Sequence, residues 1–112
     1  MSAENRQRPR KQLRQFLTVL DAGGATPLGR MVDISQAGMM LIGHAPLSVQ
    51  QEYLVDIQLP PPETSLRLRA ICMWSRHGTT NTAHHGSGFR FDGLTEEQQA
   101  LLDRLIQAEN PG

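Results

Sequence analysis

The stretch "EYLVDIQLPPPETSLRLRAICMWS", residues 52–75, decides the fold. In its first half Tyr53, Val55, Ile57 and Leu59 alternate with Glu52, Asp56 and Gln58. In its second half Leu66, Leu68, Ala70, Cys72 and Trp74 alternate with Arg67 and Arg69. A period of two belongs to a strand that buries one face and solvates the other. Prolines 60–62 stop the first run, because proline cannot donate to a ladder. The stretch therefore reads as two strands, 52–59 and 65–75, with Trp74 on the face of Leu68 and Cys72.

The same pattern extends outward. After a polar loop, "GTTNTAHHG", the segment "SGFRF" (87–91) reads as a last strand. Toward the N-terminus, "QFLTVL" (15–20) is a strand stopped by the turn-forming "DAGG". "GRMVDIS" (29–35) and "GMMLIG" (38–43) are two more, broken only at Gln36-Ala37, which predicts a tight hairpin. The period then changes. Thr95 with Gln98 three residues on makes a capping box, and Glu96 and Glu97 suit a helix N-terminus. Leu101, Leu102, Leu105 and Ile106 form a stripe at helical spacing, giving a helix over about 95–108. Six strands with no helix between them predict a mainly β protein: a six-stranded antiparallel β-barrel with a C-terminal amphipathic helix packed on it.

With 112 residues and 12.4 kDa, the chain makes one small domain. No run of eighteen apolar residues offers a membrane span, and the polar start is not a secretory signal. One cysteine, Cys72, cannot form an internal disulfide, which fits a reducing cytoplasm. The net charge is +0, but it is unevenly spread. Residues 1–14 carry five basic groups and one acid, a surplus of +4, and the rest of the chain carries −4. A basic, flexible arm (1–14) thus precedes an acidic barrel body (15–112), and the arm either is simply solvated or meets an anionic partner.

Asp33-Ile34-Ser35-Gln36-Ala37-Gly38 interrupts the apolar pattern. Residues two apart in a strand share a face, so Asp33 and Ser35 are expected side by side. Gly38 lets another group approach the backbone. Two readings stand. Asp33 and Ser35 bond the hairpin backbone, as these residue types do readily. Alternatively, carboxylate, hydroxyl and amides form a patch for a guanine edge and a phosphate. Arg10 and Arg14, four apart and next to the first strand, carry guanidinium forks that fit phosphate oxygens and the O6/N7 edge of guanine.

Arg-x-x-x-Arg (Arg10, Arg14) followed by Asp-x-Ser-x-x-Gly (Asp33, Ser35, Gly38) resembles the pattern of PilZ domains, bacterial receptors for cyclic di-GMP. The resemblance covers essentially the whole chain, with "CMWSRHG" and "GSGFRFDGLTEEQQALLDRLI" similar to the family's fifth strand, last strand and helix. It implies a six-stranded antiparallel barrel and a cytoplasmic, non-enzymatic receptor or adaptor with cyclic di-GMP as ligand. Arg10 and Arg14 would clamp guanine and phosphate while Asp33 and Ser35 hold a guanine and Gly38 permits close approach. Arg8, Lys11 and Trp74 are additional candidates. The family often has an arginine where this chain has Pro9, a position linked to ligand number, so one ligand per chain is expected. The register Arg6 with Arg10 also satisfies the spacing, but Arg14 abuts the first strand.

Trp74 is either a core aromatic or a ring stacking on guanine at the barrel rim. Among His44, His77, His84 and His85, the adjacent pair would point to opposite faces of a strand and make poor co-ligands, so no metal is expected. Cys72 reads as a small core residue. Arg67 and Arg69 form a solvated face or a partner surface. No paired carboxylates, nucleophile beside a base or glycine-rich phosphate loop suggests catalysis. Beside the receptor, which would act on a protein partner, stand a ligand-independent interaction module and a single-stranded nucleic-acid binder. The last uses several exposed aromatics, whereas this chain has one Trp, one Tyr and three Phe.

Overall fold

The computed structural model describes residues 11–23, 26–43, 47–61, 64–77 and 85–108, with side chains of the first strand described from Leu17 onward. The strands are β1 (Lys11–Asp21), β2 (Thr26–Ile34), β3 (Gly38–Gly43), β4 (Glu52–Gln58), β5 (Ser65–His77) and β6 (His85–Asp92). They form a closed barrel in the order β1-β2-β3-β6-β5-β4, every neighbouring pair antiparallel. One helix, α1 (Glu96–Ala108), follows. The expected architecture is met, with strand ends shifted by a few residues.

Alternation dictates the interior. Val19, Met31, Ile34, Met39, Leu41, Val55, Ile57, Leu66, Leu68, Ala70 and Cys72 are buried, each from a strand's inward set. Tyr53 packs partly against them, edge-on to Phe89 at 5.7 Å. The capping box opens α1: Gln98 N donates to Thr95 Oγ1 at 3.1 Å, and Thr95 N donates to Gln98 Oε1 at 2.9 Å. Leu102 and Leu105 then enter the core, and each such burial contributes about 1.5–3 kcal/mol. Arg67 and Arg69 keep the outer face of β5, where they pair with Asp56 (3.2 Å) and Glu52 (3.6 Å) of β4.

Four register shifts interrupt simple alternation among the described strands, and three of them bear on the site. Arg30 to Met31 pair regularly with Ile42 and Leu41, but the next pair is Asp33 with Met40, which leaves Val32 as an extra residue. That bulge puts Asp33 on the outer face, while Ile34 returns to the interior opposite Met39. In β5 the pair Cys72–Phe89 is followed by Trp74–Gly88, with Met73 extra. Phe89 faces inward and Gly88 outward, so Trp74 is turned out of the barrel. Strict alternation placed Trp74 with Leu68 and Cys72. The extra residue reverses its face. In β1, Gln12 pairs with Asp33 and Leu17 with Met31, so residues 13–16 stand opposite Val32 alone. β1 also begins four residues before the expected strand, and Lys11 pairs with Ile34.

Candidate functional site

The turn between β2 and β3 consists of Ser35, Gln36 and Ala37. Ser35 N donates to Gly38 O at 2.9 Å. The Ser35 hydroxyl, buried, accepts from Ala37 N at 3.2 Å and from Gly38 N at 3.3 Å. It is thus engaged in the turn, as serine commonly is where it competes for backbone groups. Phe91 N donates to Ala37 O at 2.9 Å, tying the turn to β6. Gln36 Nε2 donates to Asp103 Oδ1 at 2.9 Å, tying it also to α1. Gly38 has a packing reason of its own. A Cβ there would overlap the Phe89 carbonyl oxygen and lie 3.3 Å from Arg90 Cα.

Trp74 lies on the outer surface against two glycines of β6. A Cβ on Gly88 would overlap the indole, and one on Gly86 would meet the ring at 3.4 Å. Glycines at i and i+2 on one face make a bare backbone platform for a flat ring. The Arg76 guanidinium covers the ring at 5.1 Å from its centroid. Beside this platform lies an open pocket of about 560 Å³, lined by Gln36, Ala37 and Gly38 of the turn, by Met73 and Trp74, and by Gly88 and Arg90 among others. Its volume suits a small-molecule site, for which about 300–1,000 Å³ is usual. Arg90 is the one charged residue among the described residues lining it.

Of the expected site residues, Gly38 and Trp74 meet in this pocket. Asp33 stands on the outer face of β2 and Ser35 in the turn, and neither lines it. Arg14 belongs to the bulged segment of β1 between the Gln12–Asp33 and Leu17–Met31 pairs, and Lys11 pairs with Ile34. The backbone of the second arginine is therefore beside the Asp33 strand. Arg6, Arg8 and Arg10 lie outside the described residues. Sequence reasoning missed Gly86, Gly88 and Arg90. The first two carry a legible signal, since two glycines inside a strand mark a close approach.

The remaining candidates have local roles. Burial raises the Cys72 thiol above its ordinary value, and the thiol donates to Trp74 O at 3.4 Å. His77 and His85 face each other across β5 and β6, with Nδ1 and Nε2 3.0 Å apart, while His44 and His84 lie outside the described residues. Among the described residues no three metal-binding side chains gather. Among them, too, no helix is long and apolar enough to cross a membrane.

Comparison with known proteins agrees with this architecture. The family model described as PilZ domain matches residues 4–108. No curated protein matches the sequence. Among solved structures, the PilZ domain of YcgR from Escherichia coli with c-di-GMP is 14% identical, with a TM-score of 0.73 over 94% of this chain and 91% of that one. The Bacillus subtilis inhibitor of motility (MotI/DgrA) is 15% identical with a TM-score of 0.73, covering 94% of this chain and 51% of that one. The K. pneumonia MrkH–c-di-GMP complex is 16% identical with a TM-score of 0.68, covering 95% of this chain and 55% of that one. The chain thus spans about half the length of MotI and of MrkH.

Proposed function

The chain belongs to the PilZ domain family, and from that premise we propose that it is a cyclic di-GMP receptor that acts as a cytoplasmic, non-enzymatic adaptor. The observation that carries the reading is the pairing of β1 with β2. Lys11 opposite Ile34 and Gln12 opposite Asp33 bring the arginine-bearing segment to the Asp33-x-Ser35-x-x-Gly38 turn. Complexes of structural relatives with c-di-GMP support the ligand's identity.

In this reading Arg10 and Arg14, with Lys11 and Arg8 as auxiliaries, supply forks to the ligand's phosphates and a guanine edge. Asp33 accepts from guanine N–H groups on the outer face. The Ser35–Gly38 turn offers its backbone at close range, and Trp74 offers a flat face. Closing the arm over the ligand alters the surface read by a protein partner, and part of the binding energy goes into ordering that segment. A single ligand per chain follows from Pro9 at the place of a third arginine.

Calorimetric titration with cyclic di-GMP beside a single-stranded oligonucleotide tests the reading. The expected result is a dissociation constant of micromolar or below, about −8 kcal/mol or better, at one ligand per chain. No heat with the dinucleotide at high micromolar concentration overturns it. A saturating ratio near two overturns the stoichiometry alone.

A further inference from the structure

We infer that Arg90 reads the guanine base, an assignment that rests on the cyclic di-GMP reading and names a residue outside both arginine and Asp-x-Ser-x-x-Gly motifs. Arg90 sits in the middle of β6, paired on one side with Gly38 of β3 and on the other with Ile71 of β5. Being held by two neighbouring strands fixes its backbone, which a residue on an arm does not enjoy. Gly38, having no Cβ, lies against the Arg90 Cα, so no side chain from the motif covers the root of the arginine. The neighbouring outer residue on β6 is Gly88, the platform of Trp74.

The arginines of the neighbouring strand β5 are committed to the protein itself. Arg67 pairs with Asp56, Arg69 with Glu52, and Arg76 covers the Trp74 ring. Arg90 instead lines the pocket as its one charged group among the described residues, beside an indole and bare peptide. A flat ring is what such a wall accommodates, with the guanidinium at the ring's edge. Guanine presents two acceptors, O6 and N7, spaced for the fork, whereas adenine presents an acceptor and a donor there. A guanidinium aimed at that edge therefore selects guanine. One aimed at phosphate would not distinguish the bases.

Arg90 is exposed, so its substitution leaves the barrel intact. Wild-type, Arg90→Met and Arg90→Lys proteins are titrated with cyclic di-GMP and cyclic di-AMP, and apo melting temperatures are recorded. The expected result is a roughly ten- to hundredfold loss of cyclic di-GMP affinity in Arg90→Met, with the preference over cyclic di-AMP falling by the same factor. Arg90→Lys, which keeps the charge but not the planar fork, should lose nearly as much. The inference is overturned if Arg90→Met binds cyclic di-GMP as the wild type does, if Arg90→Lys restores full affinity, or if both ligands weaken equally. Absence of cyclic di-GMP binding by the wild type overturns the receptor reading itself.

Discussion

Gly88→Ala is the sharpest probe of the site's framework. A Cβ at Gly88 would occupy the space of the Trp74 indole nitrogen, and the ring cannot yield freely because Gly86 and Arg76 also touch it. Forcing an extra carbon into such a contact costs about 1–3 kcal/mol. Alanine in a strand is otherwise better than glycine by about 0.5–1 kcal/mol. The clash must therefore exceed that gain, and removing the ring should reveal it. In wild-type background the clash less that gain leaves up to about 2.5 kcal/mol, so Gly88→Ala should lower the melting temperature by up to roughly 15 °C, given several degrees per kcal/mol for a domain of this size. In a Trp74→Ala background it should be neutral or stabilising, so the coupling equals the clash itself, about 1–3 kcal/mol. Denaturant melts of the four proteins give the cycle. Since Trp74 is the one tryptophan, its emission should also shift to the red in Gly88→Ala as the ring lifts into water. Equal effects of Gly88→Ala in both backgrounds would refute the bulge and the platform together.

Ser35→Ala removes the acceptor of two turn amides, Ala37 N and Gly38 N, and should cost about 1–3 kcal/mol of apo stability, measured as a lower urea midpoint at unchanged slope. The raised Cys72 pKa stabilises the fold below the unfolded thiol's value near ~8.5 and withdraws that stability as pH rises from there through the folded value. Wild type should therefore lose more stability than Cys72→Ala between neutral pH and the alkaline range, and parallel losses would refute the linkage. Arg10→Ala and Arg14→Ala should keep apo stability within about ±0.5 kcal/mol. They should also lose most of the ligand-induced rise in melting temperature, expected at about ten degrees when ligand is at a hundred times the dissociation constant. A full rise in both variants would remove the arm from the site.

Period-two alternation and a helical stripe made the barrel and its helix legible, because both are local patterns that burial enforces. The capping box at Thr95 and Gln98 was readable for the same reason. Trp74 was not, since a single extra residue at Met73 inverts a strand's faces and no local composition announces it. Asp33 and Ser35 share a motif but divide between strand and turn, because Val32 and the Ser35 hydrogen bonds bend the chain there. Arg90 escaped because its meaning depends on Gly38 of β3, fifty-two positions earlier in the chain and its direct neighbour across the ladder.

The seam that closes the barrel is its shortest. β1 meets β4 through three residue pairs, from Val19–Ile57 to Asp21–Val55, whereas β4 meets β5 through seven. Breaking those few rungs exposes little surface, so the barrel should open there before it melts elsewhere, in a sub-global step of low free energy. Amide protons of Leu20 and Ala22, the latter donating to Leu54 O at 2.8 Å, would then exchange ahead of those in the β4–β5 ladder. Such an opening frees β1 along one edge, and β1 is the strand that carries Arg14. The segment proposed to hold the nucleotide's phosphates thus includes a strand whose seam with β4 is the barrel's shortest.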